Sequence, residues 1–260
     1  YLERHGLHVK VVNLALLMLN KPGFDVEKAI REMDPHVFGI DLHWAPHAHG
    51  SIEIARLCKK YHPDTPVVFG GLTATYFHEE LIGYECVDYV LRGDSTEEPF
   101  TQLVYAIKRG GSVADIPNLT YKDSSGAIVV NAFECVPPTF DHVKLDYSFS
   151  MRSVIRGRDM SSALPFKDWL SYPVTASLTC RGCTRNCVTC GGSATAFRTH
   201  FGRDRVAFRD PELLVKDIAH IAKHIPGPVF VLNDFRQAGD EYVNAFITGL
   251  KKIDFRNPIG

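Results

Sequence analysis

Three cysteines, Cys183, Cys187 and Cys190, stand in a Cys-x3-Cys-x2-Cys run, and they limit this chain more than any other feature. The run lies in the stretch Ser177-Leu-Thr-Cys-Arg-Gly-Cys-Thr-Arg-Asn-Cys-Val-Thr-Cys-Gly-Gly192. Three thiolates this close together can hold three corners of a cubic four-iron four-sulfur cluster, with the fourth iron left without a protein ligand. An open iron binds substrate, whereas an electron-carrying cluster usually takes four cysteines. Three plainer readings compete. A structural zinc site would use Cys180 as a fourth ligand, but zinc ribbons usually part their two knuckles by roughly a dozen residues or more. A disulfide pair would need an oxidising compartment. A set of buried free thiols is a poor account of so dense a cluster. Cys180 itself reads as a small core residue, or one that backs the ligands, rather than a ligand.

The rest of the chain alternates strand and helix signals. Residues 36–42, 66–69 and 87–91 are short apolar runs of the kind that form buried parallel strands. Between them, Asp25 caps a helix over 26–33 that Asp34-Pro35 ends, and Ser51 caps a helix carrying Ile54, Leu57, Cys58 and Tyr61. A further helix over 99–108 closes at Gly110. The opening is read as the end of a helix over 1–5, stopped by Gly6, and a strand over 8–14. This βαβ series predicts a parallel sheet with helices on both faces. Residues 119–122 and 127–131 flank Asp123-Ser-Ser-Gly126, a hairpin signal, and a mixed stretch follows to about 171 as a connector.

From Tyr172 a second αβ series begins. Residues 173–179 form a strand, and the cysteine run is the loop at its carboxyl end. Asp210-Pro211-Glu212 starts a helix with Leu214, Ile218, Ile221 and Ile225 inward. Residues 228–232 form the next strand, ending at Asn233-Asp234, and 240–252 another helix. In barrels of βα units the active site lies at the carboxyl ends of the strands. Both the cysteine loop and Asn233-Asp234 fall there.

The cysteine run, with Arg181-Gly182 before its first cysteine and Asn186 before its second, resembles the signature of the radical S-adenosylmethionine (radical SAM) superfamily. The resemblance implies that Cys183, Cys187 and Cys190 hold a 4Fe-4S cluster whose open iron chelates S-adenosylmethionine. It implies one-electron cleavage of the sulfonium to a 5′-deoxyadenosyl radical. Gly191 and Gly192 then give backbone access near the methionine end, and Asn233 and Asp234 are candidates for polar contacts. One departure stands out: where the family often carries an aromatic residue before the last cysteine, this chain has Thr189. The second αβ series fits the start of the family's partial (β/α)6 barrel.

Residues 1–110 resemble the cobalamin-binding domain that precedes many radical SAM domains. The matching stretches are Phe38-Gly-Ile-Asp-Leu-His43, Val67-Val-Phe-Gly-Gly-Leu-Thr-Ala-Thr75 and Val87-Asp-Tyr-Val-Leu-Arg-Gly-Asp94. The resemblance implies that Asp41, His43, Gly70, Gly71, Thr73 and Gly93 line the corrin and its nucleotide tail. Ligands of open parallel sheets bind outside the carboxyl ends of the strands, and Gly70-Gly71 offers close approach to the backbone. Asp41-Leu-His43 begins the Asp-x-His-x-x-Gly pattern of cobalt-ligating domains. Pro46 stands where Gly is required, so a hydrogen-bonding or corrin-edge role for His43 is favoured. Trp44 either covers the corrin face or packs between domains; His47 and His49 read as loop residues.

The expected fold class is thus α/β: a flavodoxin/Rossmann-like doubly wound parallel sheet over 1–110, a hairpin-bearing connector over 111–171, and the start of a radical SAM barrel over 172–260. Tyr1 and the C-terminal Asn257-Pro-Ile-Gly260 suggest a fragment of a longer protein. With a net charge of −1, no broad attraction to nucleic acid or membrane is implied. Arg198, Arg203, Arg205 and Arg209 are interleaved by Asp204 and Asp210 and read as a solvated face. No apolar run spans a bilayer. The expected setting is an oxygen-free cytoplasm, with a low-potential electron donor such as a flavodoxin or ferredoxin and an unidentified substrate. Methyl transfer to carbon, ring closure and ring contraction all occur in the resembling group. Radical chemistry without cobalamin, and a non-enzymatic zinc- or cluster-stabilised interaction module, are the alternatives.

Overall fold

The computed structural model describes all residues except 147, 149–151, 153, 157–159, 161–163 and 254. Part of the connector expected over 111–171 therefore lies outside the described residues. The chain forms two compact units, each assembled from separate stretches: a first unit of residues 25–137 and 187–204, and a second of 1–24, 138–186 and 205–260.

The first unit is built on a five-stranded sheet ordered β1 (Phe38–Asp41), β2 (Val67–Gly70), β3 (Tyr89–Leu91), β4 (Leu119–Lys122) and β5 (Ile128–Val130). β1, β2 and β3 pair in parallel, so their carboxyl ends share one edge. The hairpin turns antiparallel at Asp123, whose carboxylate accepts from Ser125 N and Ala127 N. β4 then pairs with β3, so the hairpin extends the sheet. One face is covered by the helix Val26–Arg31 and the long helix Ala48–Tyr61, packing Ile30, Ile52, Ala55 and Cys58 on Val67, Phe69 and Val90. Leu103 of the helix Glu97–Arg109 packs in a separate cluster with Val68, Leu91, Ile116 and Leu119. Two short helices, Leu72–Tyr76 and His78–Ile82, follow β2. The unit is completed by a helix after the cysteine run, Ala194–Phe201, which the sequence reading did not anticipate.

Two local expectations are corrected. Residues 8–13 carry no strand, and 14–20 are the helix Leu14–Asn20, because the Asn13 side chain accepts from Leu16 N and caps it. Ser51 does not start its helix. A 3-10 turn at Ala45–His47 runs directly into Ala48, leaving Ser51 and His49 inside the helical segment.

The second unit contains the parallel pair β6 (Thr175–Leu178) and β9 (Val229–Leu232). Its short antiparallel pair joins β7 (Cys180–Arg181) to β8 (Ala207–Phe208). The helix Pro211–His224 is capped by Asp210, which accepts from Glu212 N and Leu213 N. With the helix Asp240–Lys252 it forms an apolar cluster of Leu214, Val215, Ile218, Ile221 and Phe246 on Val229. No helix among the described residues is long and apolar enough to cross a membrane.

Candidate functional site

The shared carboxyl edge of the first unit is held by hydrogen bonds between its loops. Leu42 N donates to Gly70 O at 2.7 Å and Ala74 N to Leu42 O at 3.1 Å. Thr73 Oγ1 donates to His43 O at 2.9 Å. Gly93 N donates to Thr75 Oγ1 at 2.9 Å, and that hydroxyl donates to Gly71 O. The residues expected to face cobalamin thus sit side by side: Asp41 and His43 after β1, Gly70, Gly71 and Thr73 after β2, and Gly93 after β3. Thr75, buried at the centre of this network, was quoted within its motif but not singled out. A hydroxyl on an apolar helix face was the available signal.

The two adjacent glycines have different reasons to be there. Gly71 has φ +105°, and a Cβ on it would lie 2.7 Å from Leu42 O and 2.8 Å from Asp41 Oδ1. Its missing side chain makes room for the chain's own β1 terminus. A Cβ on Gly70 would have nothing within 4 Å, so the strand end is open there. That open backbone, with exposed Asp41, His43 and Trp44 beside it, fits a bulky ligand. The His43 ring meets the Trp44 ring edge-on with centroids 5.3 Å apart.

Behind this edge lies a buried junction. Asn118 is fully buried with φ +62°. Its side chain accepts from Glu134 N and Cys135 N and donates to Cys135 O at 2.9 Å. A Cβ on Gly93 would lie 3.3 Å from the Phe133 ring, and one on Gly202 3.0 Å from it. Arg92 stacks its guanidinium over the same ring at 5.3 Å, and burial pushes its pKa down.

Two of the run's cysteines, Cys187 and Cys190, belong to the first unit. Both are exposed and reduced. Cys190 N donates to Cys187 O at 3.2 Å, and Ser193 N to Cys190 O at 3.1 Å. Ser193 then caps the helix Ala194–Phe201. Gly192 N donates to Cys190 Sγ at 3.4 Å, and a Cβ on Gly191 would meet nothing within 4 Å.

Cys183 belongs to the second unit, where the strand ends support it. Thr179 Oγ1 donates to Leu232 O at 2.7 Å and Asn233 Nδ2 to Cys180 O at 2.6 Å. Asn233 adopts φ +71°, turning the chain out of β9. Asp234 is engaged by Arg236, whose guanidinium holds its carboxyl below the usual range. Gln237 was missed by sequence reading. Its Oε1 accepts from Thr184 N at 2.7 Å, Thr184 Oγ1 at 2.6 Å and Cys183 Sγ at 3.6 Å. Cys180 is fully buried, and burial pushes its thiol pKa up. Among the described residues no group of three or more His, Cys, Asp or Glu is arranged to hold a metal ion.

The arginines expected on a solvated face are split. Arg203 and Arg209 are only 4% and 3% exposed. Arg209 pairs with Asp217 and donates to Phe140 O. Arg198 pairs with Asp204 at the surface.

Residues 1–103 match the family model of the B12 binding domain, a stretch that includes all six residues named at the strand ends. The uncharacterized methyltransferase PH0819 of Pyrococcus horikoshii is 28% identical over 178 residues, which is 65% of this chain and 34% of that protein. The radical S-adenosylmethionine methyltransferase TsrM from Kitasatospora setae, solved with tryptophan substrate and the SAM analog aza-SAM, is similar in structure. Its TM-score is 0.68 at 18% identity, over 96% of this chain and 46% of its own. The cobalamin-dependent S-adenosylmethionine radical enzyme OxsB, with aqua-cobalamin and S-adenosylmethionine bound, gives a TM-score of 0.67 at 15% identity, over 91% of this chain and 32% of its own. At these identities the structural likeness is one of fold, and the α/β class with a parallel sheet is as the sequence reading expected. The chain spans about a third to a half of the length of these proteins.

Proposed function

We propose that this chain is part of a cobalamin-dependent radical SAM enzyme. The observation that carries the reading is order within one chain: a stretch matched by the B12 binding domain model, followed by the Cys183–Cys187–Cys190 run. The three thiols are the right donors for a cluster with one open iron. Cys187 and Cys190 are exposed and outside any disulfide, and gathering the three would accompany metal binding, since sites of this kind form with their metal. When bound, the cluster and S-adenosylmethionine supply one-electron cleavage of the sulfonium to methionine and a 5′-deoxyadenosyl radical, and cobalamin supplies a methyl group.

The chain's own residues bind and orient. Gly191 leaves backbone open beside Cys190, and Gly192 N donates to the Cys190 sulfur. Asn233 and Asp234 sit at the end of β9, with Asn233 tied to the carbonyl of Cys180. Gln237 holds the turn that follows Cys183. Gly70 leaves room at the strand edge, Asp41 and His43 stand exposed beside it, and Thr73 and Gly93 hold the loops that carry them. A low-potential donor of the flavodoxin or ferredoxin kind would supply the electron; with the groups bound, a substrate carbon would lose a hydrogen atom to the deoxyadenosyl radical, giving 5′-deoxyadenosine, and would then take the methyl group in its place.

The test uses the full-length protein, purified without oxygen and supplied with iron, sulfide and cobalamin. The reading expects about four iron and four sulfide per chain, corrin absorbance that co-purifies, and reductant-dependent 5′-deoxyadenosine. One zinc per chain and no sulfide would sink it. Iron and 5′-deoxyadenosine without corrin would reduce it to radical chemistry alone.

A further inference from the structure

The first unit contains an ion pair that neither the motifs nor the comparisons assign. Arg203 Nε donates to Asp94 Oδ2 at 2.6 Å and Nη2 to Asp94 Oδ1 at 2.8 Å. Nη2 also reaches Ser95 Oγ at 3.2 Å, and Nη1 donates to Pro137 O at 2.9 Å. The two side chains are 2% and 8% exposed. This is a bidentate, charge-assisted pair, the most directional contact available to a guanidinium.

What the pair joins gives it meaning. Asp94 follows Gly93 at the end of β3, on the edge proposed for cobalamin. Arg203 closes a short hydrogen-bonded segment: the Cys187–Cys190 turn, the Ser193 cap, the helix Ala194–Phe201, and Gly202 at φ +58°. Arg203 N donates to Phe197 O at 3.1 Å and finishes the helix. That helix is about 12 Å long. Phe133 is wedged against both Gly93 and Gly202 at the same junction.

A buried ion pair is poor value as stability, since two desolvated charges often do no better than apolar side chains of the same volume. Its advantage is geometry. Resting on the proposed function, we infer that Arg203 is a positioning residue: through Asp94 it fixes the segment carrying Cys187 and Cys190 to the Gly93 loop. Loading of the cysteine run is then felt at the cobalamin edge. Coupling of this kind is reciprocal and can be read as a change in affinity.

The experiment titrates hydroxocobalamin into the full-length protein, followed by its absorbance, in cluster-free and cluster-reconstituted forms. The parent is expected to show dissociation constants differing by about fivefold or more. In Arg203→Lys, which keeps the charge but loses the fork, the ratio is expected to fall towards one. Asp94→Asn, which keeps the shape, should do the same and stands in if the first variant fails to fold. Arg209→Lys alters an equally buried arginine of the other unit and should keep the parent ratio. A parent ratio of one, or a ratio preserved in both Arg203→Lys and Asp94→Asn, overturns the inference while leaving the proposed function standing. Loss of the ratio in Arg209→Lys also overturns it, because general softening would then be the cause. A parent that binds no hydroxocobalamin in either form overturns both.

Discussion

The two candidate sites differ in how much of them folding completes. At the carboxyl edge of β1, β2 and β3, every loop is tied to its neighbour through Leu42, Thr73, Thr75 and Gly93. The chain's own hydrogen bonds hold this edge together. At the cysteine run, Cys187 and Cys190 stand in water. Under the proposed function the metal itself would draw the thiolates together, its charge offsetting theirs. One site is a product of packing and the other of chemistry, and substitutions should tell them apart.

The largest effect is expected at the run. Alanine at Cys183, Cys187 or Cys190 should take iron and labile sulfide from about four of each per chain to background, while the urea midpoint of the cluster-free protein stays put. A cluster-loaded Cys187→Ala protein would erase the contrast. At the edge the order reverses, and stability moves. Gly71→Ala places a Cβ against Leu42 O in a backbone region close to glycine-only, and should cost about 3 kcal/mol in urea denaturation. Asn118→Ala leaves two backbone donors and an acceptor unmatched and should cost about 2 kcal/mol. Gly70→Ala has open space around it and should cost under about 1 kcal/mol, yet weaken hydroxocobalamin binding. A stability loss at Gly70 as large as that at Gly71 would show that the two glycines are not distinct.

The smallest effect separates the thiols themselves. Burial pushes the Cys58 pKa up to about 12, leaving roughly one part in ten thousand as thiolate at pH 8. Iodoacetamide at that pH should label Cys187 and Cys190 in cluster-free protein and spare Cys58 and Cys180, as read by peptide mass spectrometry. Labelling of Cys58 ahead of Cys187 would contradict the burial described.

Much of the fold was legible because local signals agreed with it. Short apolar runs marked β1, β2 and β3, and Asp25 and Asp210 cap the helices they were expected to cap. The strand expected over 8–14 failed because an apolar stretch has no reading of its own, and Asn13 decided for helix. The hairpin was seen, but its attachment to β3 was not. Pairing between Leu91 and Leu119 is a long-range choice that neither strand announces. At the sites, residues that carry chemistry in their type could be found, cysteines above all. Gln237 and Arg203 could not, because each is defined by its partner, and Thr75 offered only a hydroxyl on an apolar helix face. Arg203 shows this most sharply: among other charges in sequence it looked solvated, and only Asp94, distant along the chain, makes it a core residue.

The first unit takes residues 187–204 only after the chain has passed through 138–186, which belong elsewhere. During synthesis at about 5–20 residues per second, the sheet emerges several seconds before its last helix. Asp94 meets water in that interval, and its counter-charge is the final residue but one of the late segment. A ribosome-bound chain halted before Arg203 should therefore expose a hydrated carboxylate and the Phe133 ring at a seam that only the newest part of the polypeptide can close.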